Sequence, residues 1–480
     1  MAEVPKSQML SHFSRELQSG DAALFVGAGL SRPSGFVDWK ELLRDVASDL
    51  KLDIDRESDL VGLAQFHVNQ RGGGRARINQ LLIDEFTRDS KLTENHRLIA
   101  TLPVHTIWTT NYDELIETAF REGHRRPDVK TTKENLATTL PNRGVTIYKM
   151  HGDCRQPHDA VLTKEDYETY GQKREVFSTA LKGDLVERTF LFLGFSFTDP
   201  NIDHVLSRIR GLLGGNQREH YCVMKWPDAP KDAGGAARAE YEYQRRKLEL
   251  RISDLSRYQI QAVMIDKYDE VTEILRELNR RSHLKHVFVS GSAYDHDPIG
   301  KNRLDNFCAE LGREIIKQGL NLVSGFGIGI GSAVVLGGLE VLYSENWPIS
   351  RVSLFPFPQQ QPKGTTEQSF RSQYRTSILS NSGFAVFISG NRLDPATKNT
   401  VVASGVLEEF EIATQLGKIP IPFGASGWAA QQVWETVSKE PSRYYGATDV
   451  SDPLKVLGQA GRGNNEYIAA MFEMIKKLGQ

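Results

Sequence analysis

Short apolar runs recur along the first part of the chain, at residues 22–26, 105–109, 146–150, 189–193 and 220–224, and each leads into a polar or glycine-rich cluster. Stretches with helical spacing lie between them, at 9–18, 39–50, 114–121 and 241–250. Strands alternating with helices predict a parallel sheet flanked by helices. Residues 50–96 are long and helical in pattern, and read as an insertion, a helical cap on that framework. Residues 225–235, with two prolines and two glycines, read as a loop. A charged helix at 273–281 then ends, and a fresh apolar strand begins at Val287. The rhythm restarts, with strands expected at 287–290, 321–324, 352–355, 385–388 and 419–422, and helices at 302–317, 332–342, 374–380 and 405–416. Residues 358–370, polar and rich in Gln and Pro, read as a mobile loop. The pattern predicts an α/β chain of two Rossmann-like parallel-sheet domains, residues 1–283 with the helical insertion and 284–480.

Two glycine loops sit at strand-to-helix transitions. One is Gly27-Ala28-Gly29-Leu30-Ser31 and the other runs from Gly325 through Gly327 and Gly329 to Ser332. Backbone N–H groups at a positive helix end are where phosphate binds. Three further clusters follow strands of the first half: Thr109-Thr110-Asn111-Tyr112-Asp113, His151-Gly152-Asp153, and Gly194-Phe195-Ser196 running on to Asp199 and Asn201. In a parallel sheet all of these share the carboxyl edge, where ligands lie. Read singly, His151 could be a strand-end histidine, and Asn111 or Asp113 a cap for the following helix.

The order GAG-x-S, T-x-N-x-D, H-G and G-x-S resembles the sirtuin superfamily, whose members use NAD+. The resemblance implies cleavage of the bond between nicotinamide and ribose. Gly27, Ala28, Gly29 and Ser31 would cradle the pyrophosphate, and Asn111 and Asp113 would hold the nicotinamide end and the reacting ribose. His151 would act as general base. Gly194, Ser196, Asp199 and Asn201 would serve the adenosine half. Protein-deacylating sirtuins carry a four-cysteine zinc module. This chain has only Cys154, Cys222 and Cys308, with no CxxC pair, so no such module and no metal is expected. Water becomes the acceptor, and ADP-ribose and nicotinamide the expected products. A zinc-free deacylase or ADP-ribosyltransferase is the enzymatic alternative.

The second half resembles the SLOG superfamily of nucleotide binders, on Gly291 and Ser292 after its first strand and on Gly325, Gly327 and Gly329. It lacks the P-G-G-x-G-T-x-x-E segment of the phosphoribohydrolase branch, so a sensor is expected, not a second enzyme. Stretches at 92–96, 108–113, 191–201, 252–257 and 323–327 extend the likeness to the whole chain, which resembles the effector family of bacterial Thoeris antiphage systems. That resemblance implies that a cyclic ADP-ribose isomer, made by a partner TIR-domain protein, binds the SLOG domain and switches on NAD+ depletion. Arg375, Arg392 and Glu409 would bind the signal, with Arg392 standing where the family pattern leads one to expect lysine. The resemblance also implies a homo-oligomer, a tetramer that stacks into filaments when active.

Bulk properties narrow the partners. The 480 residues carry a formal net charge of −2, which gives no global reason to bind nucleic acid or an anionic membrane. A DNA-binding sensor is the non-enzymatic alternative, through a local basic groove. No apolar run suits a bilayer span or a signal peptide, so a cytoplasmic protein is expected.

Overall fold

A computed structural model describes residues 3–37, 39–197, 200–213, 217–230, 234–358, 360, 364 and 366–479, the side chains of 200, 201, 204, 208, 209, 212 and 213 excepted. The chain divides into two compact units, Met1–Asn279 and Arg280–Gln480, the division falling within the helix Asp269–Ser282.

The first unit is built on seven strands: β1 (Ala22–Val26), β2 (Thr106–Thr109), β3 (Pro127–Lys130), β4 (Val145–Lys149), β5 (Thr189–Leu193), β6 (His220–Lys225) and β7 (Ile260–Ile265). They lie in the order β3-β4-β2-β1-β5-β6-β7, all parallel. β1 is buried throughout, because both of its faces meet apolar layers. Leu24 and Val26 join one cluster and Ala23 and Phe25 another, the twofold alternation of a strand. The chain moves outward from β1 to β2 and β4, then jumps back across β1 to add β5. That reversal opens a crevice at the carboxyl ends of β1 and its neighbours.

Two strands go beyond the reading from pattern. β3 is an edge strand starting at a proline, too short and too polar to register as an apolar run. β7 stands between the charged helix Gly235–Leu255 and the helix Asp269–Ser282. The former is longer than expected, its polar surface laced by pairs such as Arg238–Glu242 at 3.0 Å and Arg245–Glu249 at 3.4 Å. The helix expected over 39–50 is two pieces, Trp39–Leu42 and Arg44–Asp49. The insertion folds as helices Leu60–Gln70 and Ala76–Phe86 around an apolar cluster of its own, which includes Leu63, Ile78 and Leu82 and takes in Ala160 and Leu162. Arg75 fastens it by forked bonds to Asp166 at 2.6 and 2.7 Å.

The second unit has a sheet of β8 (His286–Ser292), β9 (Asn321–Ser324), β10 (Val352–Leu354), β11 (Phe384–Ser389) and β14 (Ile419–Phe423), with a small antiparallel ribbon of β12 (Asn391–Leu393) and β13 (Thr400–Val402). The order β10-β9-β8-β11-β14 is again all parallel and again reverses beside its first strand. The ribbon carries Arg392 and is absent from the sequence reading, since neither three-residue strand has an apolar run. The helix expected at 374–380 starts earlier, at Glu367, capped by Thr366 accepting from the Ser369 N–H at 3.2 Å. Helices Trp428–Lys439 and Asn464–Leu478, for which the pattern reading has no elements, close the core of this unit.

Two buried imidazoles in the first unit are neutral when folded. His220 accepts from the Phe190 N–H at 3.1 Å, and burial pushes it down to about 3. His96, in a capping box with Thr93, is pushed by burial down to about 4. Unfolded, each takes up a proton near pH ~6.5. The unfolded chain therefore binds more protons as pH falls below that value, and stability is lost by up to about 1.4 kcal/mol per pH unit per imidazole until the folded values are reached. The His220→Asn variant, whose amide oxygen can still accept from Phe190, is expected to lose less melting temperature than wild type between about pH 7 and about pH 5. Calorimetry at stepped pH checks this, and equal slopes would refute it.

Candidate active site and signal site

The register of the first sheet sets one row of residues level at the carboxyl edge: Val26 pairs with Thr109 and with Leu193, and Thr109 with Lys149. Each chain leaves its strand there. Gly27 and Gly29 pass directly against Gly194, the loops of β1 and β5 touching backbone to backbone. Gly194 has φ +62°, and a Cβ on it would lie 2.6 Å from the Leu30 nitrogen. Only glycine fits.

The first loop differs from the expected bare phosphate cradle. It forms two 3-10 turns, Ala28–Leu30 and Arg32–Ser34, in place of an immediate α-helix. The N–H groups of Gly27, Gly29, Leu30 and Ser31 donate to the carbonyls of Leu193, Gly194, Gly27 and Ala28 at 2.9–3.1 Å. These four amides are engaged within the fold.

Three of the sequence candidates form one buried chain of hydrogen bonds. Asn111 Nδ2 donates to Ser31 Oγ at 3.1 Å, and Ser31 Oγ donates to Asp113 Oδ2 at 2.8 Å. Asp113 Oδ1 also accepts from the Leu115 N–H at 3.0 Å, so its helix-capping role and its place in the site coexist. Asn111 Oδ1 is buried with no protein partner among the described residues. A carboxamide oxygen left this way can accept from a sugar hydroxyl or an amide.

His151 lies on the neighbouring strand end. Asn111 and His151 are each two residues beyond the level pair Thr109–Lys149, on strands about 4.8 Å apart. The imidazole is buried edge-on against Tyr167 and Tyr170, with ring centroids 5.7 and 6.2 Å away. Gly152, at φ +88°, lets the chain turn back against Ala160. Ser196 is exposed, and its carbonyl accepts from Arg251 at 3.2 Å. Asp199 and the Asn201 side chain lie outside the described residues.

Sequence reasoning missed what lies beneath. Lys149 is fully buried, donating to Asp153 Oδ2 at 2.5 Å and to the Asp113 carbonyl at 2.6 Å, with Glu117 Oε1 an ion-pair contact at 3.1 Å. Burial by itself would lower its ammonium, but the carboxylates of Glu117, Asp153 and Asp113 reverse this and hold it above the ordinary lysine range. A lysine inside the run Thr146-Ile147-Tyr148-Lys149-Met150 was the available signal. The cysteines are free and buried, and among the described residues no group of three or more His, Cys, Asp and Glu side chains could hold a metal.

In the second unit, Glu409 is buried and accepts from Ser290 Oγ at 2.5 Å and from Arg375 Nε at 3.4 Å. Burial pushes its carboxyl up. Arg375 also bonds Glu408 at 2.8 Å and lies over the Phe357 ring at 4.9 Å. Neither Glu408 nor Phe357 was singled out from sequence. Gly327 and Gly329 run against the carbonyls of Gly291 and Ala293. Ser292 donates to the Asn391 carbonyl at 2.9 Å, while Arg392 is exposed on the ribbon and Gly325 half-buried. The structure thus joins Ser290, Arg375 and Glu409, and among the described residues none of their hydrogen bonds includes Arg392.

Comparison with known proteins finds two family models along the chain. The model of the SIR2-like domain matches residues 105–250, and that of the Sir2- and TIR-associating SLOG family matches 270–478. A protein of Bacillus cereus named NAD(+) hydrolase ThsA is 43% identical over 96% of this chain and 94% of its own. The chain belongs to the ThsA family. A second member, from Cytobacillus dafuensis, is 39% identical over 98% of this chain and 97% of its own. A more distant relative, defense-associated sirtuin 2 of Bacillus subtilis, is 25% identical over 62% of this chain and 33% of its own. ThsA members span both units seen here, and both carboxyl edges just described fall within the aligned length.

Gly194→Ala tests the contact on which the first edge is built. The substitution combines an unfavourable φ with a clash against Leu30, and is expected to cost more than about 1 kcal/mol in urea unfolding and to abolish nicotinamide release from NAD+. Wild-type stability and turnover together would refute the contact.

Proposed function

We propose that the chain hydrolyses NAD+ to ADP-ribose and nicotinamide at the carboxyl edge of β1, β2, β4 and β5. The observation that carries this is the buried chain Asn111–Ser31–Asp113 beside His151, in a protein whose full-length relatives are named NAD(+) hydrolase. The bond between the ribose carbon and the pyridinium nitrogen breaks, and its electron pair leaves with nicotinamide, which departs neutral. The ribosyl carbon becomes cationic and is captured by water. His151 takes the proton that water loses, a role worth ~10²–10⁴-fold in such sites. Asn111 orients the water or a ribose hydroxyl without adding charge, and the Asp113 carboxylate favours the developing cation. Ser31 links the two and fixes both rotamers.

The second edge is the regulatory half of the same proposal. A cyclic ADP-ribose isomer, the product of a TIR-domain partner, binds at Arg375 and Glu409, with Arg392 reaching it from the ribbon, and switches the first unit on. Two phosphates suit guanidinium groups. Moving the chain from mostly off to mostly on requires the signal to favour the active arrangement by ~10⁴-fold, roughly 5.5 kcal/mol. A homo-oligomer, tetrameric and filament-forming, makes such a bias attainable by coupling several copies. The cellular outcome is depletion of NAD+ during phage infection.

Two measurements decide the parts separately. His151→Ala and Asn111→Ala are each expected to lose nicotinamide release while keeping a wild-type circular dichroism spectrum; turnover surviving in both variants rejects the site. Adding an acyl-lysine peptide should yield no acyl-ADP-ribose, whose appearance would favour deacylation. Arg375→Ala is expected to leave NAD+ binding intact but to lose the response to a panel of cyclic ADP-ribose isomers; an unchanged response rejects the signal site.

A further inference from the structure

We propose that Lys149 is a positioning residue for the cleavage of NAD+, tying the turn that carries Asn111 and Asp113 to the turn that carries His151. The proposal rests on the reading of those three residues as the reacting end. Lys149 is the last residue of β4, with a side chain of 0% relative exposure. Its hydrogen bonds reach the Tyr112 and Asp113 carbonyls after β2 and Asp153 after β4, and it forms an ion pair with Glu117 on the helix Leu115–Glu122. The three donors of one ammonium thus tie the two turns together, and its charge holds the helix between them.

Packing alone gives no reason for this residue. Burying an ammonium costs several kcal/mol before its partners compensate, and a methionine would fill the same space. The charges around it give the reason. Asp113, Glu117 and Asp153 converge here, with Cys154 beside Asp153 and His96 facing Asp113 from the helix Glu94–Thr101. Burial pushes Glu117 up, and the Cys154 thiol up to about 12. Arg155, nearer the rim, is engaged by Glu114 at 2.9 Å. When nicotinamide leaves, positive charge moves onto the ribose, and an anionic floor favours that state. Carboxylates packed this closely repel one another, which a nearby cation offsets, and a cation facing the ribose would oppose the reaction. Lys149 satisfies both conditions by lying behind the carboxylates.

Nicotinamide release by the full chain is measured from about pH 5 to about pH 9 with wild type, Lys149→Met, Glu117→Gln and Asp113→Asn, under one set of activating conditions. Lys149→Met is expected to lower kcat by ~10²-fold with KM within about threefold, because the reacting groups are displaced while substrate contacts remain. Its acidic limb is expected about one pH unit or more higher, since the carboxylates lose their counter-charge. Glu117→Gln, which removes a like charge and keeps the lysine, is expected to move the limb to lower pH. A folded Lys149→Met with wild-type kcat and an unmoved limb overturns the proposal. If that variant does not fold, Glu117→Gln decides, and an unmoved limb there overturns it equally. Full turnover in Asp113→Asn rejects the reading of the site itself. An inactive Asp113→Asn beside a wild-type-like Lys149→Met rejects only the role of the lysine.

Discussion

The backbone contact between the loops of β1 and β5 is the constraint on which the first unit depends. Gly27 and Gly29 on one side and Gly194 on the other leave no room for side chains, so the two strand ends close directly on each other at the switch point of the sheet. That closure holds the β1 loop at the edge, where Ser31 meets Asp113 in the segment after β2. The same closure engages the Gly27 and Gly29 amides on the β5 end, and the Leu30 and Ser31 amides close turns within the loop. The loop is therefore held by its own protein carbonyls, and the polar chemistry at this edge is carried by side chains.

The two units solve one problem in different ways. Each places its first strand centrally and reverses direction beside it, so each has a crevice at its carboxyl edge. In the first, the charge lies under the edge: a buried lysine among carboxylates, with Asn111 and His151 above. In the second, the charge faces the edge, as Arg375 held between Glu408 and Glu409. The first arrangement suits the cationic intermediate of the proposed cleavage. The second suits the proposed anionic ligand, which would compete with the carboxylates already on the arginine.

The strands that line the two crevices were legible because they are buried on both faces and read as unbroken apolar runs. β1, β5 and β9 coincide with the expected bounds. β3 and the ribbon β12–β13 were not legible, because short edge and surface strands carry mixed side chains and gain their pairing from neighbours remote in sequence. The same distinction runs through the sites. Ser31, Asn111 and Asp113 stood out because their clusters follow apolar runs at one sheet edge and match the order of motifs of the sirtuin superfamily, although singly Asn111 or Asp113 reads as a helix cap. Lys149, Glu117 and Glu408 did not, because a charge on a helix or strand is ordinarily solvated, and only burial makes it exceptional.

The sequence alone determined the alternation of strands and helices, the restart that makes two α/β units, and which strand ends carry glycine and polar chemistry, since all of these are local patterns of side-chain character. Tertiary structure decided which of those ends meet. Strand order placed Thr109 level with Val26 and Lys149, and Ser31 within a hydrogen bond of Asp113. It also decided which charges are buried, and so which must be paired. Pairing and burial are properties of neighbours brought together by folding, and linear spacing does not contain them.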